Sequence, residues 1–372
     1  MPIRGHSLHH AKKSASHSSS CSTSLLFISL LCLASLFLVY SLFKSSVSPH
    51  NHQNLQFKRS DSSGTPILVE PCDYSDGMWI YDPSVRSAPY DHTCKEIFKG
   101  WNCIASNKSN GLDIIKWHWK PKGCDLPRFD PVRFLERFRN TNVEACFTPI
   151  SCRWSADANG GTLESLGYKE GFRVDVDIPD GTWAEAPSFH DILIFNTGHW
   201  WWAPSKFDPV KSPMLFFENG LPLIPALPPH VGLDLVLKHM ISFVERRMRT
   251  GGIKFFRTQS PRHFEGGDWD QGGFCQHLQP LLPEQVEELF SLENNGTNVE
   301  TRLVNQHLYK ALQGSDFHIL EITRMSEFRA DAHPSTAGGK KHDDCMHWCL
   351  PGTTDTWNDL FITHLNNIKF QN

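Results

Sequence analysis

The sequence predicts an α/β protein: a parallel sheet flanked by helices, behind a small disulfide-rich lobe and an N-terminal transmembrane helix. Three features of its 372 residues predict this. Short apolar runs alternate with amphipathic stretches in the C-terminal half, cysteine and tryptophan crowd residues 68–123, and one uncharged apolar segment stands near the N-terminus.

Residues 1–23 carry Arg4, Lys12 and Lys13 and no acid, and read as a cytoplasmic tail. Residues 24–43 (Ser24 to Phe43) are uncharged and mostly apolar over 20 positions, enough for a helix to cross the hydrocarbon core. Basic residues ahead of this segment and none within it place the body in the lumen. A cleaved signal peptide is the competing reading, with Ser46-Val47-Ser48 as its small-x-small site. The stretch exceeds a usual signal-peptide core, which favours an uncleaved anchor. Both readings send residues 44–372 into the secretory pathway.

Of 11 cysteines, Cys21 and Cys32 lie before or inside the apolar segment. Cys72, Cys94, Cys103, Cys124, Cys146, Cys152, Cys275, Cys345 and Cys349 follow it, where an oxidising lumen pairs thiols. That is an odd number, so at least one thiol has no partner within the chain. Asn107-Lys108-Ser109 and Asn295-Gly296-Thr297 are N-glycosylation acceptors suited to the same compartment. A net charge of -4 with scattered lysines and arginines presents no basic face, which excludes nucleic acid as a partner. The 12 Trp and 25 Phe read as core first and as sugar-stacking surfaces second.

Residues 44–67 are rich in Ser, His, Gln and Asn and read as a flexible stalk. Residues 68–123 read as a lobe stapled by disulfides rather than by a large core. From 124 to 372 the pattern is α/β. Asp191 to Asn196 is a buried strand; Leu233 to Arg249 is a helix closed by Arg246, Arg247, Arg249 and Gly251-Gly252. Ile253 to Thr258 is a second strand, Val299 to Gln313 a helix closed by Gly314, and Phe317 to Ile322 a third strand. This order implies a parallel sheet covered on both faces. Chemistry in such sheets gathers beyond the carboxyl ends of the strands.

Asp344 and His347 are the sharpest pair there. On one helical turn, their i,i+3 spacing sets both side chains on one face. The carboxylate can then hold one imidazole nitrogen while the other takes a proton. The bland alternative is the start of a surface helix. His342, Asp344, Cys345, His347 and Cys349 could also form a metal site, but lumenal cysteines are expected as disulfides, so no metal is expected. Asp331 and His333 offer a second Asp/His pair, or a polar loop leading into Pro334. Asn196, Gly198 and His199 read as donors to an oxyanion, or as a glycine turn with Trp200 to Trp202 in the core. No Gly-Asp-Ser and no Gly-x-Ser-x-Gly occurs, and Ser155 and Ser260 are the only serines near these motifs.

Taken in series, four stretches carry a resemblance. They are Cys72-Asp73 through Gly77-Met78-Trp79, Trp101-Asn102-Cys103 and Trp117 to Asp130; Phe195 to Trp201; Arg257 to Phe264 with the glycine-rich run up to Cys275; and Asp344 to Gly352 with Asp355-Thr356-Trp357. Together they resemble the trichome-birefringence-like proteins of plants over nearly all of residues 70–362. The resemblance implies a single-pass type II Golgi membrane protein with an SGNH/GDSL-esterase-like domain over 124–372. It also implies O-acetylation of wall polysaccharides such as xylan, mannan or pectin, with no tightly bound cofactor. The acetyl donor would be acetyl-CoA or another acetylated molecule. A serine in a Gly-Asp-Ser motif would carry the acetyl group, with Asp344 orienting and His347 acting as base. Asn196, Gly198, His199 and Trp200 would approach the oxyanion or the sugar. The implied disulfides are Cys72 with Cys124, Cys103 with Cys349, and Cys275 with Cys345.

The departure from the family lies near 143–153. Phe134 to Val143 leads to where the serine motif should begin, but Glu144 to Cys152 follows, and family-like sequence resumes at Arg153-Trp154-Ser155. The nucleophile, its strand and the next helix are therefore expected to be missing. With them would go the usual partner of Cys94, which Cys146 or Cys152 could replace. The expected function is an impaired polysaccharide O-acetyltransferase. A non-catalytic, pectin-bridging wall protein is the alternative, and a splice product that folds poorly is the third reading.

Overall fold

The computed structural model describes residues 59–60, 66–67, 72–85, 90–139, 141, 143–146, 162–169, 171–202, 213–294 and 296–368. The expected transmembrane segment, most of the stalk and the junction after Cys146 lie outside them. Among the described residues no helix is long and apolar enough to cross a membrane. Residues 1–69 form one unit, in which Arg59–Ser60 pairs antiparallel with Pro66–Ile67. Residues 70–372 form a second.

In that second unit the strands are β1 (Gly77–Tyr81), β2 (Trp117–Pro121), β3 (Val143–Cys146), β4 (Phe172–Asp175), β5 (Ile192–Phe195), β6 (Met214–Glu218), β7 (Leu221–Pro222), β8 (Ile253–Arg257) and β9 (His318–Leu320). The main helices are α1 (Pro131–Arg137), α2 (Pro229–Arg247), α3 (Pro283–Phe290), α4 (Glu300–Leu312) and α5 (Thr353–Asn367).

The central sheet has the order β9-β8-β5-β3, with every pairing parallel. Its strands read as unbroken apolar runs because both faces are buried. Alternation survives in where the residues go. Leu193, Phe195 and Phe256 face a core made with Val236, Met240 and Val244 of α2 and Leu308 and Leu312 of α4. Ile192, Ile253 and Phe255 point the other way, to Leu360, Phe361 and Leu365 of α5. Helix α2 ends where expected, with Arg246 and Arg247 in its last turn and Gly251 at φ +77 just beyond.

Three expectations are corrected. Where the lost motif's strand was expected to leave a gap, Val143–Cys146 forms β3, pairing Val143 with Ile192 and Cys146 with Phe195. Parallel pairing uses main-chain groups, so residues foreign to the family can still occupy the edge of the sheet. The cysteine-rich segment is not held by disulfides alone. Trp119 of β2 is buried in the same core as Ile192, Phe255 and Leu360, and Trp79 Nε1 donates to the Met325 carbonyl at 2.7 Å. Finally, β4, β6 and β7 form a second sheet that sequence reading passed over. Its hairpin turns on Asn219-Gly220 at φ 52 and 76, a signal legible in the dipeptide itself.

Gly232 in α2 shows how tightly the layers meet, because a Cβ there would lie 2.0 Å from the Phe216 ring of β6. That ring in turn lies parallel to Trp201 at 6.2 Å. Alanine favours a helix over glycine by about 1 kcal/mol, but overpacking a full core costs about 1–3 kcal/mol. Gly232→Ala should therefore lower the urea midpoint of unfolding, and a raised midpoint would show that the helix and sheet separate freely.

Candidate active site

The sheet brings two loops together at its carboxyl end, and cross-links bring a third. Beyond β5, Asn196 to Gly198 leads into the turn His199–Trp202. Beyond β8, Arg257 leads into Thr258, Gln259 and Ser260. The third loop carries Asp344 and His347 and belongs to no helix, so their spacing is not that of one helical turn. Asp344 instead pairs with Ser335 as an isolated antiparallel bridge. The i,i+3 contact forms because Asp344 Oδ1 accepts from both the His347 main-chain N–H and His347 Nδ1, each at 3.0 Å. This is a side-chain-to-backbone turn, which asparagine and aspartate form readily.

Asp344 is a carboxylate. Partial burial opposes its charge, but hydrogen bonds from His347 and from Lys340 outweigh that and hold it well below the usual range. Lys340 Nζ reaches Asp344 Oδ2 at 2.8 Å and the Gly100 carbonyl at 2.7 Å. With Nδ1–H engaged by Asp344, His347 presents Nε2 as a proton acceptor. Trp101 stacks on the ring at 4.9 Å and 23°. The His347 side chain remains 51% exposed, open to a reactant on its other face.

Asn196 accepts from Arg257 Nη2 at 3.2 Å. Burial pushes the Arg257 guanidinium down to about 10. A Cβ at Gly198 would fall 1.4 Å from Gln259 Oε1, so any larger residue there would displace the Gln259 side chain. His199 is neutral: burial first, then the charges of Arg262, Arg257 and His347, push it down to about 3. Three buried polar atoms here, His199 Nδ1, Arg257 Nε and Gln259 Nε2, have no partner among the described residues. Natural interiors rarely leave such groups unpaired unless water or a ligand completes them. Trp200 lies in the same turn, while Trp201 is core and donates from Nε1 to Thr197 Oγ1 at 2.9 Å.

The remaining candidates sort clearly. Cys72–Cys124, Cys103–Cys349 and Cys275–Cys345 are disulfides, so Cys345 and Cys349 offer no thiolate to a metal. Cys94 is free and half-buried; Cys152 and the side chain of Cys146 lie outside the described residues. Asp331 does not pair with His333 but with buried Arg329, at 2.8 and 3.0 Å. Ser260 Oγ is occupied by the Trp348 indole N–H at 2.7 Å, and Ser155 lies outside the described residues. No described hydroxyl hydrogen-bonds to His347. Asn107 is exposed at φ 56, and Asn295 lies outside the described residues. Trp101 and Lys340 were missed from sequence. The signal for Trp101 was positional: it stands two residues before Cys103, and His347 two before Cys349.

Residues 156–364 match the PC-Esterase model, described as a GDSL/SGNH-like acyl-esterase family found in Pmr5 and Cas1p, and residues 70–125 match the PMR5 N terminal domain. Protein trichome birefringence-like 13 of Arabidopsis thaliana is 58% identical over 397 residues, covering 92% of this chain and 96% of the relative. Protein trichome birefringence-like 12 of the same plant is 37% identical, covering 80% and 86%. Xyloglucan O-acetyltransferase 3 of Populus trichocarpa is 27% identical, covering 92% and 97%. The first alignment, at 397 positions, is longer than the 372 residues of this chain, so that relative holds residues with no counterpart here. Both family models leave 126–155 unmatched, the interval that contains the junction. With one model matched over more than half its length and a relative 58% identical, the chain belongs to the trichome birefringence-like family of PC-esterase proteins.

Proposed function

We propose that this chain has the scaffold of a cell-wall polysaccharide O-acetyltransferase and, lacking the nucleophilic serine segment, transfers little or no acetyl. The observation that carries this reading is the Asp344–His347 contact at 3.0 Å, with Nε2 left free to act as base. In the complete reaction, His347 takes the serine proton as the serine oxygen bonds to the acetyl carbon, and the donor's leaving group departs with that proton. A sugar hydroxyl then attacks the ester, its proton passing through His347 back to the serine oxygen. The unpaired donors near His199 would stabilise the oxyanion formed at each step. Acetyl-CoA or another acetylated donor supplies the acetyl group. Xylan, mannan or pectin accepts it, as does xyloglucan by likeness to the Populus relative.

That no hydroxyl among the described residues bonds to His347 also favours a second reading: a wall protein that binds polysaccharide without turnover. Comparison with a chain carrying a Gly-Asp-Ser segment after Val143 separates the two. The restored protein should form an acetyl-enzyme, and His347→Ala should slow its transfer by about 100- to 10,000-fold, the usual worth of a general base. The chain as it stands should show neither effect while still binding the acceptor. Transfer by the unrestored chain at a comparable rate, abolished by His347→Ala, would mean that another residue is the nucleophile.

Location belongs to the same proposal: a Golgi membrane protein, anchored once through residues 24–43, with its body in the lumen. In sealed microsomes the body should resist protease and carry glycan at Asn107 or Asn295. Digestion of the body in intact vesicles would place it on the cytoplasmic side instead.

A further inference from the structure

His263 and His333 lie beneath the active-site loop, both essentially without solvent exposure. Three short contacts run through the two rings. His263 Nε2 meets the Glu327 carbonyl oxygen at 2.8 Å, His263 Nδ1 meets His333 Nε2 at 2.7 Å, and His333 Nδ1 meets the His347 carbonyl oxygen at 2.6 Å. A carbonyl oxygen only accepts, and a neutral imidazole carries one N–H. Two neutral rings therefore bring two protons to three contacts. Whatever tautomers are chosen, one contact sets lone pair against lone pair. A third proton satisfies all three.

We propose that His263 and His333 share one proton across the Nδ1···Nε2 contact, as a buried, singly charged imidazole–imidazolium pair that fixes the main chain of His347. His333 is then a positioning residue for the base, and His263 fixes His333. The existence of the pair does not depend on acetyl transfer; only its consequence for catalysis rests on that reading.

Burial is the largest influence on both rings and opposes charge on each: it pushes His263 down to about 4 and His333 well below the ordinary range, so the shared proton is held by the three short contacts against burial. A second proton would meet the same opposition and the repulsion between the two rings as well. Asp331 favours charge on His263, and Asp344 favours it on His333. His277 and Lys108 oppose them from the other elements packed against the pair. Asp331 is already engaged by Arg329, so its help is partial. Trp348 lies against the His333 ring at 4.3 Å and 35°, and Phe290 of α3 meets His263 edge-on at 5.2 Å. An aromatic face beside an imidazolium is favourable and cannot be hydrated away.

The test is imidazole nitrogen NMR on the full chain with 15N-labelled histidine, from pH 5.5 to 7.5. Three protonated ring nitrogens should appear for the two rings, one of their protons shifted far downfield and coupled to both partners. Two protonated nitrogens throughout that range would overturn the proposal. His333→Gln keeps an N–H for the His347 carbonyl but cannot share a proton. It should remove the downfield signal and leave His263 with one. If the signal persists in a folded His333→Gln protein, the proton belongs elsewhere and the proposal fails. If that variant does not fold, the nitrogen count in the unmodified chain still decides.

Discussion

The Cys103–Cys349 disulfide joins residues 246 positions apart and stands two residues from Trp101 on one side and from His347 on the other. The loop that carries the base has almost no regular structure of its own, so its geometry depends on this bond and its neighbours. Cys345, directly after Asp344, is tied to Cys275. Lys340 bridges Asp344 to the Gly100 carbonyl, and the Leu350 N–H donates to the Trp101 carbonyl at 2.9 Å. Closing so long a loop removes about 5 kcal/mol of unfolded-state entropy in the chain-entropy account. The loop that carries Asp344 and His347 is thereby fixed by the segment that precedes the central sheet.

What the sequence revealed follows from what periodicity can encode. Helices α2 and α4 were legible because Val236, Met240 and Val244, or Val304, Leu308 and Leu312, recur at helical spacing before a glycine. Strands β5, β8 and β9 were legible as apolar runs. Val143–Cys146 was not, because four mixed residues with no alternation carry no strand signal, and their place at the edge is set by the partner Ile192–Phe195. The i,i+3 spacing of Asp344 and His347 correctly implied contact but not conformation. An aspartate that caps its own turn gives the same contact as a helix does. The long-range neighbours of the dyad, Trp101 and His333, are fixed by tertiary packing that no local pattern records.

The reading that this chain folds poorly assumed a strand removed from the middle of a sheet. The described sheet has β3 at its edge, with β5 and β8 in the interior and their apolar faces covered by α2, α4 and α5. The polar cluster beside it is less comfortable. His199, Arg257 and Gln259 each hold a buried atom with no described partner, at about 1–3 kcal/mol apiece. On the proposed reading such a cluster is a cradle for an oxyanion rather than core.

On the proposed reading, the two halves of the chemistry come from different parts of the fold. Cys146 lies opposite Phe195, so the chain leaves β3 beside the Asn196–His199 loop, where a nucleophile would have to stand. His347, the proposed base, comes instead from the cross-linked C-terminal loop and is held three ways: at Nδ1 by Asp344, on its ring face by Trp101, and at its main-chain carbonyl by His333. None of these three contacts uses a residue of β3 or of the junction near 143–153. The Asp344–His347 pair is therefore positioned independently of the junction, so on the proposed reading losing the serine segment removes the reacting hydroxyl without releasing the imidazole that would take its proton.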